Sequence, residues 1–217
     1  MRKIITGDGS ETVYNEDYDE YYHSKSGALE EAFEKYVKPC RIKELAKKGY
    51  VRVLDIGFGL GYNAIAAIDA ALEEGGEIEV FSFEKDPKFP EKTESLNPEL
   101  ENYYIIRKLE YDPITKTYSY EAKNVLLRIK IGDAAQRIRE LNLKFDAVFL
   151  DPFSPAKNPE LWTSEFFSDI AKRMKKGAVL ATYSYAKKIR ENLKKSGFHV
   201  YDGPVVGRRS PCTLAEK

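Results

Sequence analysis

Cysteine is scarce in this chain: Cys40 and Cys212 are the only two among 217 residues. That number excludes a disulfide framework, and the spacing fits no zinc motif. Histidine is equally scarce, with His23 and His199 standing alone. Both read as ordinary surface or core residues, and no metal is expected. Long apolar runs are missing too, and a transmembrane helix needs about 18 such residues. The opening "MRKIITGDGSETVYNEDYDE" lacks the apolar region of a secretion signal. These absences predict a soluble, cytoplasmic protein with no membrane partner. Glutamine occurs once, at Gln136, while Lys and Glu are abundant, a composition that fits a heat-adapted source. Internal repeats and low-complexity linkers are also lacking.

What is present can build a core. The hydrophobic share is 42%, too high for a chain disordered throughout, and the length suits one domain. Net charge is zero but unevenly spread. Residues 1–36 hold four Lys/Arg against nine Asp/Glu, and residues 157–217 hold thirteen against six. The basic end is a solvated face or the footprint of a polyanionic partner.

Periodicity predicts strands alternating with helices. Residues 1–22 read as an irregular or short-strand lead. One helix is expected through "SKSGALEEAFEKYVKPCRIKELAKKG", stopping near Gly49. Strands are expected at 51–57, 78–84 and 145–150, with an alanine-rich helix through "YNAIAAIDAALEEGG" ended by Gly75-Gly76. "YYIIRKLEYDPITKTYSYEAK" predicts a β-hairpin around an Asp-Pro turn, followed by a strand in "VLLRIKIGDA". "SEFFSDIAKRMKKG" predicts an amphipathic helix stopped by Gly177. "AVLATYS" reads as a strand, "YAKKIRENLKKSG" as a helix, and "FHVYDGPVVG" as a closing strand or hairpin. Such alternation predicts a parallel-rich α/β sheet covered on both faces. Residues 1–50 are read as an extension packed on a domain of residues 51–217, with the hairpin inserted at about 103–123.

In such sheets ligands sit beyond the carboxyl ends of the strands, so the strand-ending residues matter most. The first strand runs into "LDIGFGLG", where Gly57, Gly59 and Gly61 let the backbone turn tightly. A dinucleotide fingerprint would need glycine at position 62, which is Tyr; a dehydrogenase is thereby disfavoured. Asp55 inside the loop would repel a pyrophosphate and suit a positive amino group. S-adenosylmethionine fits that requirement, with its α-amino group, sulfonium and adenosine. Glu84 ends the next strand, about 20 residues on, where a ribose-binding acid is expected. Asp133 in "IGDA" is placed to accept from an adenine amino group. Asp151 ends the following strand. Any one of these acids can be a helix cap; the ordered set points to a cofactor site.

The order resembles the class I S-adenosylmethionine-dependent methyltransferases. "DGSETVY", "YYHSKSGALEE", "LDIGFGLGYN", "FLDPFSPAKNPELW" and the "GRR" after a late glycine resemble the methyltransferase domain of the MnmC family, over residues 8 to 209. The resemblance implies a Rossmann-like, mostly parallel seven-stranded sheet. It implies methylation of the aminomethyl group on a tRNA wobble uridine, giving methylaminomethyl-(2-thio)uridine. Bifunctional members also carry an FAD-dependent oxidase domain; this chain is expected to be the methyltransferase alone. Pro152 stands where relatives often show glycine.

In this reading Asp55, Gly57, Gly59, Gly61, Asn63, Glu84, Asp133 and Asp151 hold the cofactor. Asp151 also orients the acceptor amine and takes up or relays its proton; its other reading is a cap for the helix near "NPELW". Phe153 would stack on the uracil, and Tyr183 and Tyr185 would wall the acceptor pocket. Lys157, Arg208 and Arg209 would meet tRNA phosphates. The competing functions are a spermidine-synthase-like aminopropyl transfer, methylation of another amino acceptor in DNA or protein, and a non-catalytic nucleic-acid-binding module.

Overall fold

The order of strands in space brings the strand-ending acids together. The computed structural model describes residues 2–217. Three short strands, β1 (Lys3–Ile5), β2 (Glu11–Asn15) and β3 (Glu20–Tyr21), form a small antiparallel sheet. Helix α1 (Ala28–Glu31) continues as a π-helical segment, Ala32–Val37, and α2 (Ile42–Ala46) follows. Then come β4 (Tyr50–Ile56), α3 (Tyr62–Glu73), β5 (Glu77–Glu84) and α4 (Phe89–Thr93). The hairpin β6 (Glu110–Asp112) and β7 (Thr117–Ala122) leads into β8 (Val125–Ile131). The chain ends through α5 (Ala134–Arg137), β9 (Phe145–Leu150), α6 (Ser164–Arg173), β10 (Met174–Thr182), α7 (Lys187–Lys195), β11 (His199–Asp202) and β12 (Thr213–Glu216).

Among the described residues the large sheet has nine strands, in the order β11-β12-β10-β9-β4-β5-β8-β7-β6. Strands β10, β9, β4, β5 and β8 are parallel. Strand β12 runs antiparallel between β10 and β11. From β4 the chain proceeds outward through β5 and β8, then returns to β9 on the other side of β4. The reversal lies between β4 and β9, and open α/β sheets bind ligands at that point.

Each central strand is apolar on both sides, as a sheet covered twice must be. In β4, Val51 and Val53 join the core beneath α2 and α3, while Leu54 and Ile56 join the core beneath α6 and α7. The class I α/β fold read from the sequence is therefore the observed one.

Four details differ from the sequence reading. The sheet has nine strands rather than seven, because the hairpin pairs along β8 and extends it. Residues Tyr103–Lys108 form a 3-10 helix instead of a hairpin strand. The long helix expected after Ser24 is interrupted between Val37 and Ile42, where Pro39 lacks an N–H and Arg41 is left-handed at φ 57°. Helix α6 stops at Arg173, and "MKKG" already belongs to β10, whose pairing with β9 is irregular between Met174 and Val179. Among the described residues, no helix is long and apolar enough to cross a membrane.

Candidate active site

The glycine loop after β4 is shaped by what presses on it. Gly57 has φ 94°, and a Cβ there would lie 2.7 Å from the carbonyl oxygen of Asp151. Only glycine lets the ends of β4 and β9 approach so closely. The N–H groups of Gly57 and Phe58 both donate to the Phe83 carbonyl, and Gly59 N donates to Glu84 Oε2 at 2.8 Å. Asp86 N donates to Glu84 Oε1 at 2.8 Å. A carboxylate has about four lone-pair sites, so roughly two remain on Glu84 for a ligand. Burial raises the Glu84 pKa above its ordinary value.

Asp55 lies beneath this loop, fully buried, and takes one hydrogen bond from Ser82 Oγ at 2.6 Å. Its Oδ1 has no partner among the described residues. Burial, with Asp151 and Glu84 adding repulsion, pushes its pKa up to about 8. It is therefore largely protonated at neutral pH. It is not among the residues that line the cavity, whereas the sequence reading set its charge against the cofactor's amino group.

Asp151 is held at three points. Its N–H donates to the Ile56 carbonyl at 2.9 Å. Tyr36 Oη donates to Oδ1 at 2.5 Å, and Asn63 Nδ2 donates to Oδ2 at 2.7 Å. Burial raises the Asp151 pKa to about 6, opposed by the two hydrogen bonds. Buried Tyr36 is itself pushed well above its usual value, so it stays a donor. Asp151 caps no helix here: the 3-10 helix Pro159–Trp162 has no side-chain cap, and α6 is capped by Thr163.

The proline-rich loop behind Asp151 is pinned by its neighbours. Trp162 Nε1 donates to the Phe153 carbonyl at 3.3 Å. Ser154 donates from both N and Oγ to Glu20 of β3. The Phe153 ring stacks on Tyr18 at 4.3 Å between centroids and tilts against Tyr22 at 5.1 Å. Pro152 is buried on the cavity wall, its Cα 3.2 Å from where a Gly57 Cβ would be.

These elements enclose a cavity of about 480 Å³ at the β4/β9 reversal. Gly57, Gly59, Glu84, Asp133, Asp151, Phe153, Tyr183 and Arg208 line it. Asp133 also caps α5, accepting from Ala135 N at 2.8 Å. Gly61 and Asn63 stand behind the wall: Gly61 starts α3 at φ 82° and Asn63 braces Asp151. Lys157 and Arg209 are exposed and off the wall. Tyr185 is 38% exposed, and its hydroxyl meets Asp202.

The sequence reading named no site residue before Asp55, yet one wall comes from there. Tyr18, Glu20, Tyr22, His23, Lys35 and Tyr36 all line the cavity. The dense aromatics of "YDEYYHSK" were the available signal. Burial lowers the His23 pKa to about 4, so its ring is neutral.

Six carboxylates and four cations line the cavity, so it favours a cationic ligand. Ile56, Phe83, Ala134 and Leu161 supply apolar surface for a flat base, and Glu84 supplies acceptors for a diol. The residues fit S-adenosylmethionine, which is an adenosine joined to a sulfonium. Among the described residues, no three His, Cys, Asp or Glu side chains gather to hold a metal.

Comparison with known proteins agrees. A family profile described as S-adenosyl-L-methionine-dependent methyltransferase matches residues 90–217. An uncharacterized protein of Methanocaldococcus jannaschii is 35% identical, over 99% of this chain and 59% of its own length. The tRNA 5-methylaminomethyl-2-thiouridine biosynthesis bifunctional protein MnmC of Ralstonia nicotianae is 31% identical, over 94% of this chain and 33% of its own length. The chain thus spans about a third to three fifths of these curated relatives. The crystal structure of MNMC2 from Aquifex aeolicus superposes with a TM-score of 0.83 at 36% identity, covering 99% of this chain and 70% of that one. The chain belongs to the S-adenosyl-L-methionine-dependent methyltransferase family that includes the MnmC methyltransferase domain.

Proposed function

We propose that the enzyme methylates the nitrogen of 5-aminomethyl-(2-thio)uridine at the wobble position of tRNA, giving 5-methylaminomethyl-(2-thio)uridine. The observation that carries this reading is the placement of Asp151. It is braced by Tyr36 and Asn63, opens onto the cavity, and lies beside the Phe153–Tyr18 stack. The names of the relatives support a tRNA acceptor.

The bound cofactor supplies an electrophilic methyl group on a sulfonium. That methyl would take up the lone pair of the acceptor nitrogen with release of the neutral thioether, so the residues around the amine must present that lone pair and accept one proton. In-line positioning contributes much of the acceleration in such displacements. Asp151 holds the amine by a hydrogen bond and accepts its proton. A carboxylate with a pKa of about 6 is mostly ionised at neutral pH and a stronger base than an ordinary one. Phe153 and Tyr183 offer aromatic faces to the uracil. Glu84 accepts from the ribose hydroxyls and Asp133 from the adenine amino group. Arg208 at the cavity mouth, with exposed Lys157 and Arg209, meets tRNA phosphates.

The test is transfer of a labelled methyl group from S-adenosylmethionine into tRNA, followed by digestion to nucleosides. Label should appear in the methylaminomethyl nucleoside. Asp151→Asn should cut kcat by roughly 100-fold or more, a larger effect than any it has on cofactor affinity. Full turnover by that variant would remove Asp151 from the chemistry.

A further inference from the structure

The cavity is acidic overall, yet one buried cation lies on its wall. Lys35 is 3% exposed, on the π-helical segment Ala32–Val37, one residue before Tyr36. Among the described residues its Nζ has a single partner, Glu31 Oε1 at 2.5 Å. An ammonium carries three N–H donors. Glu31 is already shared, because it also accepts from Ser24 Oγ and Ser24 N. Buried donors left unmatched are costly, and Lys35 is among the residues that line the cavity. The other wall cations differ. Lys85 pairs with Glu160, Lys25 lies over the Tyr21 ring, and Arg208 is exposed and bound to the Pro211 carbonyl.

The chemistry of the cofactor supplies a partner of the right kind and reach. Its α-carboxylate is joined to the sulfur by a short chain, so a methyl aimed near Asp151 leaves the carboxylate close by. Tyr36 holds Asp151, and Lys35 is its neighbour in the same turn. We propose that Lys35 forms the carboxylate subsite of the cavity and selects the carboxylate-bearing cofactor over its decarboxylated form. The assignment rests on the cavity being the cofactor site. It also gives a physical reason against aminopropyl transfer, whose donor is decarboxylated S-adenosylmethionine: that donor would leave the Lys35 ammonium unmatched.

Calorimetry with S-adenosylmethionine and with decarboxylated S-adenosylmethionine tests this. A charged hydrogen bond is worth roughly 10- to 100-fold in affinity, and the wild type should prefer the carboxylate form by about that factor. Lys35→Met should shrink the preference to within about threefold, by weakening the carboxylate form alone. The double variant Glu31→Gln, Lys35→Met leaves no unpaired carboxylate buried and should show the same collapse. Because the readout is a ratio within each variant, a general loss of stability does not imitate it. A wild type without preference, or variants in which both ligands weaken equally, would overturn the proposal. So would an unchanged ratio with weakened tRNA binding, which would make the anion a phosphate. Failure of the wild type to methylate tRNA would defeat the acceptor reading while leaving the ratio to decide the role of Lys35.

Discussion

Two glycines of similar backbone conformation show how differently single residues act. Gly57 and Gly75 have φ of 94° and 73°. A Cβ on Gly75 meets nothing within 4 Å, whereas one on Gly57 meets the Asp151 carbonyl and Pro152 Cα. Gly75→Ala should cost about 1 kcal/mol, the left-handed backbone term alone, and leave methyl transfer intact. Gly57→Ala should cost more, because backbone must also move, and should abolish activity by displacing Asp151. Thermal melts and turnover on the two variants separate these effects.

Asp55 allows a pH test at the same scale. Burial raises its pKa to about 8, above the ordinary 3.8, so the folded protein keeps a proton that the unfolded chain releases. Stability from this group is full below about pH 4 and falls as pH rises toward 8, by at most about 1.4 kcal/mol per pH unit. Asp55→Asn removes that dependence. The Tm of the variant relative to wild type should therefore climb from pH 5 to pH 8. A constant difference would mean that Asp55 is ionised in the fold.

At the scale of elements, the π-helical segment is the part that sets the site. It places Lys35 and Tyr36 against the cavity, and the Tyr36 hydroxyl meets an aspartate 115 residues further along the chain. Such segments recur at functional sites. The Tyr36 hydrogen bond lowers the Asp151 pKa, so Tyr36→Phe should move the acid limb of the pH–kcat profile to higher pH and reduce kcat. A merely structural role would lower Tm without moving that limb. This wall was hard to read from sequence for a physical reason. Strand ends announce themselves locally, through apolar runs broken by glycine and acid, as "LDIGFGLG" and "VFLDPF" do. The partners of Tyr18 and Tyr36 are Phe153 and Asp151, fixed by packing between distant segments, and no local period records them. The helix break at Pro39 was passed over in the sequence reading, although proline inside a helical pattern is a local signal for one. Strand β12 was missed because "TLAE" is too short for a two-residue alternation to stand out.

Over the whole molecule the reversal between β4 and β9 sets where the cavity lies, and the proposed tRNA substrate makes charge on the surface the next question. Helix α7 carries exposed Lys187, Lys188, Lys194 and Lys195; the loop before β12 adds Arg208 and Arg209. If these meet phosphates, tRNA affinity should fall steeply with salt, by about 0.7 to 0.9 in the log–log slope per phosphate neutralised. Replacing Arg208 and Arg209 with Ala should flatten that slope by about 1 to 2, measured by anisotropy on labelled tRNA. A slope already flat in the wild type would remove the electrostatic account.

Strand β12 is made after β10 and β11 yet ends up between them. While the chain is being synthesised, β10 and β11 therefore emerge with a gap that neither can close, and the loop bearing Gly207 and Arg208 has no anchor. Gly207, in contact with Ser26 once folded, then brings the late part of the chain against the early part. Gly207 and Arg208, which line the pocket, are thus held in place by the pairing of β12 with β10 and β11.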